Sequence, residues 1–112
     1  MIEDKIELLI NELKSTDEYK EYILKKSIIS SRQDQVSLLK QLANLKLINE
    51  AEHLKEEDTT DTEKHITDIM NLLADDEEAM GYMIAEYKFH KILSKVYESL
   101  NSLCNEDFKE MI

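Results

Sequence analysis

Glu50 and His53 stand in Glu-x-x-His spacing, the pattern with which di-iron carboxylate bundles project two metal ligands from one helical face. A site of that kind needs a second such pair and two further carboxylates. The other histidines do not supply it, because three residues before His65 is Thr62 and three before His90 is Tyr87. Alone, the pair reads as a coincidence in a Glu-rich chain, with His53 solvated or locally hydrogen-bonded. His90 follows Glu86 by four residues, the spacing of an ordinary contact along one helix. Cys104, the single cysteine, could donate a ligand to a shared metal or cluster site. One ligand per chain does not make a centre, and Cys104 reads better as a small apolar residue on a helix face. No Ser-His-Asp or Cys-His set, Gly-rich phosphate loop or paired-Cys motif can be assembled. The reading is therefore no catalytic residues, no cofactor and no metal, with Glu50, His53 and Cys104 as the residues a metal site would have to use.

Two other groups could bind without reacting. Tyr19, Tyr22, Tyr82, Tyr87 and Tyr97 join a rigid apolar body to a polar tip and could form a platform, although core packing is expected for most. The acidic runs Glu56-Glu57-Asp58 and Asp75-Asp76-Glu77-Glu78 read as solvated loops and favourable helix N-terminal charges, the alternative being a surface for a basic partner.

The elements that carry these residues follow from composition and spacing. A chain of 112 residues has room for one core. Pro is absent, Gly occurs once and 35% of residues are charged, a helix-rich profile. Lys and Arg number 14 against 25 Asp and Glu, a formal net charge of -11 that repels phosphate backbones and anionic lipid heads and disfavours direct nucleic-acid binding. No apolar run approaches the roughly 20 residues of a membrane span. With no signal-peptide-length apolar stretch and no internal disulfide open to a lone Cys, the expected location is the cytoplasm.

Five helices are predicted. Ile2, Ile6, Leu9, Ile10 and Leu13 share one face of a helix over about 2–14. Ser15-Thr16-Asp17-Glu18 reads as a capping box opening a second helix, about 17–30, which runs into the polar break Ser30-Ser31-Arg32-Gln33-Asp34. The third, about 33–55, carries two apolar stripes, one through Val36, Leu39, Ala43, Leu47, Ala51 and Leu54, the other through Leu38, Leu42 and Leu45. Two neighbours are implied. After the loop Glu56–Thr60, a second capping box, Thr60-Asp61-Thr62-Glu63, opens a helix over 61–74 with Ile66, Ile69, Met70, Leu72 and Leu73 inward. The last helix, about 76–104, has Tyr82, Ala85, Phe89, Ile92, Val96 and Leu103 in heptad-like spacing. Gly81 lies within it at about 1 kcal/mol relative to Ala, tolerated in the first turns or marking a close approach or bend.

The expected fold is all-α, a single domain over 1–112. The long helices form an antiparallel hairpin, the short N-terminal helices pack along it, and the uncovered apolar surface is completed by oligomerisation into a dimer or higher assembly. The expected self-association seam is Tyr82, Ala85, Phe89, Ile92, Leu93, Val96 and Leu100.

The segment Leu13-Lys14-Ser15-Thr16-Asp17-Glu18-Tyr19-Lys20-Glu21-Tyr22, with Met80-Gly81-Tyr82-Met83-Ile84-Ala85-Glu86 and the spaced Leu93, Val96 and Leu100, resembles the YlbF/YmcA family of small bacterial helical proteins, YheA-like members included. The resemblance covers nearly the whole chain. It implies a cytoplasmic, non-enzymatic regulator that forms homo- or hetero-oligomers, with related regulators and a ribonuclease as partners. Members act as accessory factors for ribonuclease Y in messenger-RNA processing and in competence, sporulation and biofilm formation. The chain departs from the family pattern in lacking the usual Pro at the mid-chain turns and the Cys-containing C-terminal extension associated with iron–sulfur binding. The departures leave the fold intact and bear on the cluster and the pathway.

The reading is thus an adaptor that works through the faces of its long helices. Two rivals are a helical-hairpin holdase, which the acidic tip Glu56–Glu63 argues against, and a metal-dependent enzyme using His53 and Glu50.

Overall fold

The computed structural model describes residues 1–111, with side chains described through residue 106. Among the described residues there are five helices and no strand: α1 (Ile2–Lys14), α2 (Asp17–Ile29), α3 (Gln33–Leu54), α4 (Thr60–Ala74) and α5 (Glu77–Met111). The all-α reading is borne out, and α5 continues past the expected end near 104. Packing groups the residues into two compact units, Met1–Ile23 with the part of α5 from Ile84 onward, and Leu24–Met83.

In the second unit α3 and α4 pack against each other around Ile29, Leu42, Ile69, Leu73 and Ala79, with Leu38, Leu39, Leu45, Ile66, Met70, Tyr82 and Met83 half-buried around them. The Leu38–Leu42–Leu45 stripe of α3 is therefore the inward one. Of the second stripe, Val36 and Leu39 are half-buried, while Ala43, Leu47, Ala51 and Leu54 are exposed. The inward face continues through Asn49 and Glu52, half-buried residues whose Oδ1 and Oε1 atoms are shielded from solvent without a hydrogen-bond partner. Pairings run in opposite order along the two helices: His53 at the end of α3 meets Glu63 in the first turn of α4, and Arg32 before α3 meets Asp76 after α4.

In the first unit Phe89 of α5 is buried. Tyr19 meets it edge-on with ring centroids 5.2 Å apart, and Tyr22 stacks on it at 5.5 Å. α1 lies in this unit and buries none of its residues.

The helix ends correct both expected capping boxes. Ser15 is the C-cap of α1, its hydroxyl donating to the Glu12 carbonyl at 2.7 Å. Thr16 instead starts α2, its Oγ1 donating to the Leu13 carbonyl and accepting the Tyr19 N–H at 3.1 Å. Adjacent hydroxyls divide the two helix ends between them, which moves the cap by one residue. Thr60 likewise lies inside α4, and its backbone N–H and hydroxyl both donate to Asp58 Oδ1. Those bonds hold the Asp58 carboxyl below its ordinary range. At the end of α3 the Glu57 N–H donates to the Glu52 carbonyl and the Glu56 N–H to the His53 carbonyl, with Glu56 at φ 56°. This is a Schellman closure with Glu where Gly is usual.

Candidate interaction surface

The residues that could do chemistry are not brought together. His53 is mostly exposed, its Nε2 3.5 Å from Glu63 Oε1, and Glu50 is exposed. Cys104 is a free, exposed thiol on α5. His90 lies beside the aromatic cluster, its ring 6.2 Å from Tyr22 and 6.3 Å from Phe89. His65 lines an open groove of about 360 Å³ between α3 and α4 with Gln41, Asn44, Leu45, Asp68 and Ile69. Among the described residues no three His, Cys, Asp or Glu side chains converge as a metal site would need.

One polar cluster is well built. Arg32, in the turn between α2 and α3, donates from Nη1 to Asp76 Oδ1 at 2.7 Å and to Glu78 Oε1 at 3.0 Å, and its Nη2 pairs with Asp76 Oδ2. The same Asp76 Oδ1 accepts the Ala79 N–H at 3.1 Å, capping α5. The guanidinium and then the Ala79 amide hold the Asp76 carboxyl below its usual range, and the bond from Asp76 raises Arg32 further. The run Asp75–Glu78, expected as a solvated loop and helix-start charges, thus also contains an ion pair that joins two turns. Spacing alone gave no signal for Arg32 as its partner.

The aromatic residues divide. Tyr19, Tyr22 and Tyr82 are half-buried, as core packing requires, whereas Tyr87 and Tyr97 are exposed. The expected seam divides too. Ala85 and Phe89 are buried within the chain and Tyr82 is packed at the core of the second unit. Ile92, Leu93 and Val96 are half-buried, and Leu100 is 64% exposed.

What remains is apolar surface in ordered rows. Scattered exposed apolar residues carry no message, but contiguous ones mark contact surfaces. On α1, Ile2 is 72% and Ile6 53% exposed, with Leu9 and Ile10 following on the same face. Tyr97, Leu100 and Leu103 form a row on distal α5, and Leu47 and Leu54 stand out on α3.

Five helices among the described residues, with uncovered apolar rows, define a small all-helical protein. The chain belongs to the YlbF/YmcA family: residues 2–103 match the family described as Control of competence regulator ComK, YlbF/YmcA. The resemblance carried by Leu13–Tyr22 and Met80–Glu86 is borne out, and the family is one of regulators. No curated protein and no solved structure matches the chain. No helix among the described residues is long and apolar enough to cross a membrane.

Proposed function

We propose that this protein is a non-enzymatic adaptor of the cytoplasm, which self-associates through its helix faces and acts by holding other proteins. The observation that carries the reading is the ordered apolar surface of α1, α3 and distal α5, left uncovered in a chain that otherwise folds a packed core. A second copy supplies the missing layer, completing the bundle around the long helices. Ile92, Leu93, Val96 and Leu100 remain as seam residues, because Tyr82, Ala85 and Phe89 already have neighbours within the chain.

By resemblance to its family, its partners are related regulators and ribonuclease Y, and its pathway is messenger-RNA processing in competence, sporulation and biofilm control. The net charge of -11 places any such role in protein contacts and not on the phosphate backbone. Affinity purification from the native host tests this: a ribonuclease or sister regulators in the eluate support it, and their absence removes the pathway. Sedimentation at micromolar concentration tests the self-association, which a stable monomer would refute.

A further inference from the structure

We infer that Lys88, Lys91 and Lys95 of α5, with Ile84 and Tyr87 beside them, form a docking row for an acidic helical segment of another protein. This names the chemistry of one partner under the adaptor reading above and rests on that reading.

The stretch from Tyr87 to Tyr97 carries three lysines and no carboxylate, in a chain of net charge -11. At 3.6 residues per turn Ile84, Lys88, Lys91 and Lys95 fall within about 60° of one another on α5, turned about 100° from the face that holds Ala85, Phe89 and Val96. All three lysines are exposed, and none of them forms an ion pair among the described residues. Like charges three and four residues apart repel one another along a helix. Solubility does not call for such a row, since mixed signs serve it as well. Carboxylates laid against the lysines turn the repulsion into attraction.

Three features select a protein's carboxylates over a phosphate backbone. The next charged residues on either side are Glu86 and Glu98, so the basic stretch is about 15 Å long and a longer polyanion would run onto acid at both ends. Lysine is a point charge, whereas phosphate recognition favours the fork of arginine, and the chain's one arginine, Arg32, is held by Asp76 and Glu78. Ile84 and Tyr87 are exposed and give an amphipathic segment an apolar edge to cover. The spacings of four, three and four from Ile84 to Lys95 suit a helix laid along α5 with glutamates at the same intervals. The residues proposed for self-association, Ile92, Leu93, Val96 and Leu100, centre on a direction more than about 100° away, so a second copy leaves the row open.

Fluorescence anisotropy on the full chain tests it, with a labelled helical peptide of about 15 residues that carries glutamates at alternating three- and four-residue spacings. Wild type is expected to bind this peptide, more weakly as salt rises, and not to bind the same peptide with every Glu replaced by Gln. Lys88→Glu, Lys91→Glu and Lys95→Glu together are expected to weaken binding at least about tenfold. Lys5→Glu, Lys46→Glu and Lys64→Glu together change the net charge equally at exposed positions. Their expected effect is less than about threefold, because distant surface charges are screened.

No binding by wild type, equal binding of the Glu and Gln peptides, or equal losses in the two triple variants overturns the row. So does an oligouridylate of about 20 nucleotides that binds wild type more tightly than the peptide and is lost with the three lysines, since the occupant is then a phosphate backbone. Purification from the native host separates this inference from the adaptor reading. Wild type and the Lys88–Lys95 variant retaining the same proteins overturns the row alone, whereas a wild type that retains none overturns the adaptor reading with it.

Discussion

Arg32 and Asp76, 44 residues apart, form a two-point ion pair that joins the turn between α2 and α3 to the turn between α4 and α5. Asp76 is also the acceptor that starts α5. The turn that precedes α3 and the residue that opens α5 are thus held by one carboxylate.

That arrangement makes stability depend on acid. The carboxyl of Asp76 is depressed below its ordinary 3.8, chiefly by the guanidinium bond, so its contribution is present above the unfolded-state value and is lost as pH falls through the folded one. Asp76→Asn keeps an oxygen to cap α5 and removes the charge. Wild type is expected to unfold at higher urea than this variant at neutral pH. The gap between them should close as the pH drops below the ordinary carboxylate range, and an unchanging gap would refute the assignment.

Gly81 occupies an ordinary position on α5. The atoms nearest a Cβ built there belong to the flexible Lys25 side chain, at 3.6 Å or more, and its φ is not positive. Neither a close backbone approach nor a bend requires glycine, so Gly81→Ala should gain roughly 0.5–1 kcal/mol in urea denaturation.

Glu56 is the reverse case. Its φ of 56° is a conformation that disfavours a side chain by about 1–2 kcal/mol. Glu56→Gly is expected to raise stability by about 1 kcal/mol, after some loss to greater freedom in the unfolded chain. The reading is the urea midpoint at unchanged slope.

Core and surface leucines should separate cleanly. Leu73 is fully buried, and Leu73→Ala is expected to cost about 2–5 kcal/mol. Leu54 is 87% exposed, and Leu54→Ala should change the stability of the monomeric chain by no more than about 0.5 kcal/mol.

The five helices were legible because their apolar residues recur at three and four positions and their breaks are marked by clusters of hydroxyls and acids. The caps were legible only to within a residue or two. Ser15 and Thr16 are chemically equivalent candidates, and the choice between them depends on which carbonyls the end of α1 leaves free. Asp58 was hidden in an acidic run until the structure showed it accepting both Thr60 donors. On α3, apolarity alone could not say which stripe faces inward, because Leu38, Leu42 and Leu45 differ from Leu47 and Leu54 only in what lies opposite. The inward face also continues through Asn49 and Glu52, which no hydrophobic pattern marks. The seam expected on α5 includes Phe89, against which Tyr19 and Tyr22 of the same chain already pack: a heptad repeat identifies a face but not its occupant.

The two packed units differ in how far the chain must travel to build them. Leu24–Met83 is one continuous segment, and its core joins helices that follow one another directly. The other unit requires Tyr19 and Tyr22, near one end, to find Phe89 near the other. Closing a long loop carries an entropic cost that short-range contacts avoid, and assemblies built from local contacts form sooner. Folding is therefore expected to run from the middle outward, the α3–α4 pair first and the aromatic clasp between the ends last.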